Sequence, residues 1–227
     1  MKNGILCVGA LCALAGAAQA ANVTFYLTTE FSSSGAIPSG PSPFGSASFD
    51  DAGANTVTLT LTRSTTIAVG EFFSKWFINL NPTMTPGSLS IVQGSGPVST
   101  NSLRTGSDTE SGFRGDGGSY FDVKFDWPTS SSSADRFDET WVSAVYTLSM
   151  AGLDATDFND LGVGGGNSPN GLYHAVHVQG INGNSAWMTG GPGGPGPLVP
   201  LPPAAWAGMA GLGLVGLAGW KRRRSAR

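Results

Sequence analysis

Residues 55–63 read NTVTLTLTR, and this strict two-residue alternation constrains the fold more than any other stretch of the chain. Successive side chains of an extended strand point to opposite faces. Val57, Leu59 and Leu61 therefore form one apolar face, and Thr56, Thr58, Thr60 and Thr62 one hydroxyl face. Threonine, branched at Cβ, suits a strand better than a helix. Residues 120–127 repeat the theme, with Phe121, Val123, Phe125 and Trp127 on one face and Tyr120, Asp122, Lys124 and Asp126 on the other. Residues 23–29, 72–80, 88–92, 141–149 and 172–181 read as further strands, of which 141–149 is apolar on both faces and suits a central place. Turn residues separate them at 38–43, 81–82, 86–87, 115–118 and 164–166. Only residues 154–161 read as a short helical turn, capped by Asp154 or Thr156. Many short strands joined by loops predict an all-β body, an antiparallel β-sandwich of jelly-roll type with one short helix.

The two ends obey different rules. Lys2, the apolar residues 5–18 and the small-x-small run Ala18-Gln19-Ala20 form a secretory signal peptide over residues 1–20, cleaved after Ala20. Cys7 and Cys12 both lie inside it. Leu6 and Leu11 precede them where a lipoprotein signal needs a small residue. The mature chain thus has no cysteine, and an exported body must hold together by packing alone. After that body (residues 21–189), residues 190–198 form a Gly/Pro linker too poor in apolar side chains to pack. Residues 204–220 carry no charge over 17 positions, near the lower limit for a transmembrane helix. Five glycines and five alanines among them make insertion weak. The cations Lys221, Arg222, Arg223, Arg224 and Arg227 then act as a cytoplasmic stop, while Trp206 and Trp220 suit the two interfaces.

Val199, Pro200, Leu201, Pro202 and Pro203 precede that segment as an extended stretch that cannot join a helix interior. An extended peptide held outside a membrane is what a processing enzyme can grip, and a weak helix is easily released. This three-part tail resembles the PEP-CTERM class of bacterial sorting signals, in the variant whose motif begins VPLP. It differs in reading Leu201-Pro202-Pro203 in place of Pro-Glu-Pro. Blocks similar to residues 153–187 (GLDATDFNDLG, GGGN and YHAVHVQGINGNSAW) recur in PEP-CTERM proteins. The resemblance implies that an exosortase is the partner: the precursor resides transiently in the inner membrane, and the body passes to the cell surface or an exopolysaccharide matrix. There is neither an LPxTG motif nor the charge-free tail of a GPI signal.

Trimming both ends changes the charge of the chain. Six of twelve basic residues lie in the signals and all fifteen acidic residues in the body, so −3 for the chain becomes −9 for the body. Such a domain is no partner for nucleic acid or an anionic membrane surface.

Candidate chemistry is sparse. His174 and His177 are three apart, hence on opposite faces of a strand, and cannot jointly chelate a metal. His177 shares a face with Tyr173 and Gln179, a set able to stack on and hydrogen-bond a sugar, whereas His174 shares one with Val176 and Val178 and reads as half-buried. Asp154, Asp157 and Asp160 are spaced for one side of a helical turn, not for a calcium loop. Arg114-Gly115-Asp116 is an RGD tripeptide that a tight turn explains. Asp122, Asp126, Asp138 and Glu139 are the carboxylates a glycan hydrolase would draw on, with Asp138-Glu139 read first as a solvated loop. There is no G-x-S-x-G elbow, phosphate loop, dinucleotide fingerprint or Cys/His metal cluster. The sequence thus predicts a non-enzymatic surface protein without cofactor or metal. A carbohydrate-binding module is the alternative, and a glycan hydrolase a more distant one.

Overall fold

A computed structural model of the chain describes residues 21–105, 112–116, 119–164 and 171–191. The expected signal peptide, sorting motif, apolar tail segment and terminal cations lie outside the described residues, as does the expected linker from residue 192 onward. Among the described residues no helix is long and apolar enough to cross a membrane.

The described body is all-β, with antiparallel pairing throughout. In chain order the strands are β1 (Asn22–Tyr26), β2 (Thr29–Glu30), β3 (Gly45–Gly53), β4 (Thr56–Arg63), β5 (Phe72–Ile78), β6 (Ser90–Ser95), β7 (Thr100–Leu103), β8 (Phe113–Arg114), β9 (Tyr120–Phe121), β10 (Val123–Asp126), β11 (Ser143–Ser149), β12 (His174–Ile181) and β13 (Asn184–Thr189). They form a five-stranded sheet ordered β1-β3-β4-β11-β6, a six-stranded sheet ordered β2-β13-β12-β5-β10-β7, and the small β8-β9 hairpin. Among the described residues helical geometry is confined to 3-10 turns, at Pro86–Ser88 and at Ala155–Phe158. The helical turn expected over 154–161 is therefore shorter and tighter than its sequence implies. Asp154 is its cap. Its carboxylate accepts the Thr156 N–H at 2.8 Å while the Asp157 carboxylate accepts the Asp154 N–H at 2.9 Å, a reciprocal capping box.

Both large sheets contribute to one hydrophobic core. On β4 the burial alternates at every position, with Val57, Leu59, Leu61 and Arg63 inward. Facing side chains come from β5 (Phe73, Trp76, Ile78), β10 (Val123, Phe125), β12 (Val176, Val178) and β13 (Ala186, Met188). Phe125 of β10 meets Tyr146 of β11 across the layer with ring centroids 4.6 Å apart. Phe49 of β3 stacks on Phe158 at 4.3 Å, so the 3-10 turn closes one end of the core. Such ring pairs add about 1 kcal/mol each beyond the area they bury.

Three expectations need correction. β11 is interior to its sheet, but only one of its faces is buried; Ser143, Val145, Thr147 and Ser149 point outward. Phe121 does not share the inward face of Val123 and Phe125. The ladder breaks at Asp122, whose carboxylate takes the Leu80 N–H at 2.9 Å and the Arg104 guanidinium at 2.6 Å, and Phe121 turns to a second cluster with Phe77 and Ala175. β3, β7, β8 and β13 form where no strand was expected. β3 is long, but its buried face holds only Gly45, Ala47 and Phe49, too thin a pattern without its partner β4.

Candidate functional site

β12 positions the residues singled out for ligand contact. His174, Val176 and Val178 point into the core; Ala175, His177 and Gln179 point outward. His177 is flanked in register by Lys75 on β5 and Trp187 on β13, and its ring stacks on Trp187 at 4.7 Å.

A bulge in β5 completes the arrangement. The register skips from Lys75 to Phe73, leaving Ser74 as the extra residue. Its hydroxyl lies 2.9 Å from His177 Nδ1 and accepts the Gln179 amide N–H at 2.9 Å. Gln179 Nε2 also reaches His177 Nδ1 at 3.3 Å. An amide nitrogen only donates, so Nδ1 is the acceptor and the ring proton sits on Nε2. Burial, and then the nearby Lys75 charge, hold His177 below the ordinary histidine range, with Asp116 pulling the other way. The imidazole is therefore neutral at pH 7. Ser74 is buried, and its hydroxyl is already engaged by two side chains. The Ser74–His177 contact satisfies buried polar groups and offers no approach to a nucleophile.

Tyr173 stands apart from His177 and Gln179. Its ring stacks on Phe25 of β1 at 5.4 Å, against the inner core. His174 is fully buried, not half-buried, between Phe25 and Trp76. Around Trp187, a cluster of Phe77, Phe121, Ala175, Phe31, Phe113 and Leu172 covers part of the outer face of the six-stranded sheet. The RGD tripeptide belongs to this cover. Arg114 lies over the Tyr120 ring at 4.8 Å, and Gly115 is pressed so closely that a Cβ there would stand 3.1 Å from Ala175.

The carboxylates considered for hydrolysis all have structural partners. Asp122 pairs with Arg104, Asp126 with Lys124 at 2.6 Å, and Asp138 with Arg136 at 2.7 Å, while Glu139 accepts the Gly70 N–H at 3.2 Å. Asp138 is buried, not part of a solvated loop. Burial disfavours its charge, but the Thr140 hydroxyl and N–H and the Arg136 guanidinium outweigh that and hold it below the usual carboxylate range. Asp160 is pushed the other way, by burial and then by Asp157. Among the described residues no group of three or more His, Cys, Asp or Glu side chains could hold a metal ion.

Sequence reasoning missed Ser74 and Trp187. The first had a signal in FFSKWF, where two consecutive polar residues, Ser74 and Lys75, interrupt an otherwise apolar run. The second had one in Asn182-Gly183, whose positive φ angles of 50° and 82° make the tight turn from β12 to β13. No protein-family model, no curated protein and no solved structure matches this chain.

Proposed function

We propose that this chain is an exported bacterial surface or matrix protein, processed at its C-terminal tail by an exosortase-type enzyme, with a structural, exopolysaccharide-associated body. The observation that carries the reading is the tail itself: Val199-Pro200-Leu201-Pro202-Pro203, 17 uncharged residues rich in Gly and Ala, then five cations. The weak segment serves as a removable retention signal, and the precursor stays in the inner membrane until it is cut.

The surfaces of the body support a structural role. The outward face of the five-stranded sheet is dominated by small hydroxyl side chains, among them Thr24, Ser46, Ser48, Thr58, Thr60 and Thr147. On the other sheet the aromatic side chains pack against one another beneath β8 and β9. The connections β4–β5, β5–β6 and β6–β7 each pass between sheets, which supports a jelly-roll-like reading of the sandwich. The half-buried patch of His177, Gln179 and Trp187 favours carbohydrate binding as the second reading.

Replacing Val199, Pro200, Leu201, Pro202 and Pro203 with a Gly/Ser stretch tests the sorting reading. The altered protein should remain unprocessed in the inner membrane. Arrival at the surface at the normal level would sink the proposal.

A further inference from the structure

Among the described residues Asp51 is an acid without a cation within 4.0 Å. Asp122, Asp126 and Asp138 each sit against an arginine or lysine, but among the described residues no such side chain comes within 4.0 Å of Asp51. Two backbone N–H groups occupy its carboxylate instead. Oδ1 accepts the Ala155 N–H at 2.7 Å, one of the unpaired donors at the start of the 3-10 turn. Oδ2 accepts the Ala21 N–H at 2.8 Å. The Asp51 N–H in turn donates to the Ala21 carbonyl at 3.1 Å, so Ala21 is fastened to β3 from both sides, one residue before β1 begins.

Ala21 is also the residue that follows the Ala18-Gln19-Ala20 cleavage signal. We infer that removal of residues 1–20 supplies the missing counter-ion: the α-ammonium group of Ala21 ion-pairs with Asp51, and maturation itself locks β1 and the 3-10 turn onto β3. The inference rests on the reading of residues 1–20 as a cleaved leader. In the cleavage, one water adds its oxygen to the Ala20 carbonyl carbon as the C–N bond breaks. Ala20 leaves as a carboxylate, and the Ala21 nitrogen keeps the bonding pair and takes up the protons, becoming an ammonium. A precursor amide offers Asp51 one neutral donor; the ammonium offers a full positive charge and three. In a chain exported unfolded, that charge is present when β1 pairs with β3.

The test uses the processed protein as recovered after export. Its first residue is read from the mass of the N-terminal peptide. The titration midpoint of its α-amine is read from the pH profile of acylation by trace acetic anhydride, in the folded protein and in urea. An ordinary α-amine titrates near 7.7–8.0. The expected result is a chain starting at Ala21 whose folded midpoint lies about one unit higher, a roughly sevenfold loss of free amine at pH 7.5. The midpoint should return to the ordinary value in urea and in Asp51→Asn. Burial alone would move an amine downward, so a raised midpoint is specific to the ion pair. A chain starting at Ala21 with an ordinary or lowered folded midpoint would overturn the ion pair and leave the leader reading standing. A different first residue would overturn both. The urea comparison decides the matter in the wild-type protein even if Asp51→Asn fails to fold.

Discussion

His174 should make this protein acid-sensitive, and replacing it with leucine should remove that sensitivity. The imidazole is fully buried against Phe25 and Trp76, and neither ring nitrogen has a hydrogen-bond partner among the described residues. Burial pushes its pKa down to about 3, and the nearby Gly190 carbonyl opposes the shift only weakly, without hydrogen-bond geometry. In the unfolded chain the same group titrates near 6.5. The folded pKa is the lower one, so the unfolded state binds the extra proton between these values. Stability is then complete above about pH 6.5 and falls as the pH drops toward 3. The slope approaches about 1.4 kcal/mol per pH unit, which gives roughly 2 kcal/mol between pH 7 and pH 5. His174→Leu keeps the volume, removes two unsatisfied nitrogens and abolishes the titration. At pH 7 it should be within about 1 kcal/mol of wild type or more stable. Between pH 7 and pH 5 the stability difference should shift by roughly 2 kcal/mol in favour of the variant. Urea denaturation of both proteins from pH 7.5 to 4.5 measures the difference. His177 and Asp138 are common to both and cancel. Parallel stability–pH curves would refute the reasoning, since they would mean that His174 is no harder to protonate in the fold than outside it.

Two further substitutions probe the frame around the site. Arg63, at the inward end of β4, donates to the carbonyls of Ser64, Ile67, Ala68 and Glu71, at 3.0–3.2 Å. Arg63→Met keeps the stem but strands those carbonyls, and should cost roughly 3 kcal/mol in urea denaturation. A loss below about 1 kcal/mol would show that the loop following β4 does not depend on it. Gly180 has a φ of +83°, and a Cβ there would lie 2.3 Å from the Gly70 carbonyl oxygen. Gly180→Ala should cost at least about 2 kcal/mol, half of it backbone strain and the rest displacement of residue 70. An unchanged urea midpoint would contradict the close approach.

How much was legible depended on whether a segment declared its own period. β4 did, and its burial follows the Val/Leu and Thr positions residue by residue. The opposite facing of His174 and His177 was equally plain, because parity along β12 fixes it. Depth was not legible. The alternation places His174 inward, but only the sheet facing it brings Phe25 over the ring. Tyr173 has the parity of His177, yet it lies one residue before β12 begins and turns to Phe25. Phe121 left its expected face because Asp122 spends its carboxylate on Arg104 and Leu80, a partnership that spans 42 residues to Leu80 and leaves no local pattern. The contact between Ala21 and Asp51 is similarly non-local. Neither residue is unusual in sequence, and only the register of β1 on β3 brings them together.

The central claim is that the C-terminal segment is made to be removed, and the intact mass of the protein recovered from the cell surface or medium tests it most directly. The account predicts a species that begins at Ala21 and lacks everything after about residue 200, and so has lost the five C-terminal cations. A surface species that retains the full C-terminus through Arg227 would make this a plain membrane-anchored protein and contradict the sorting account.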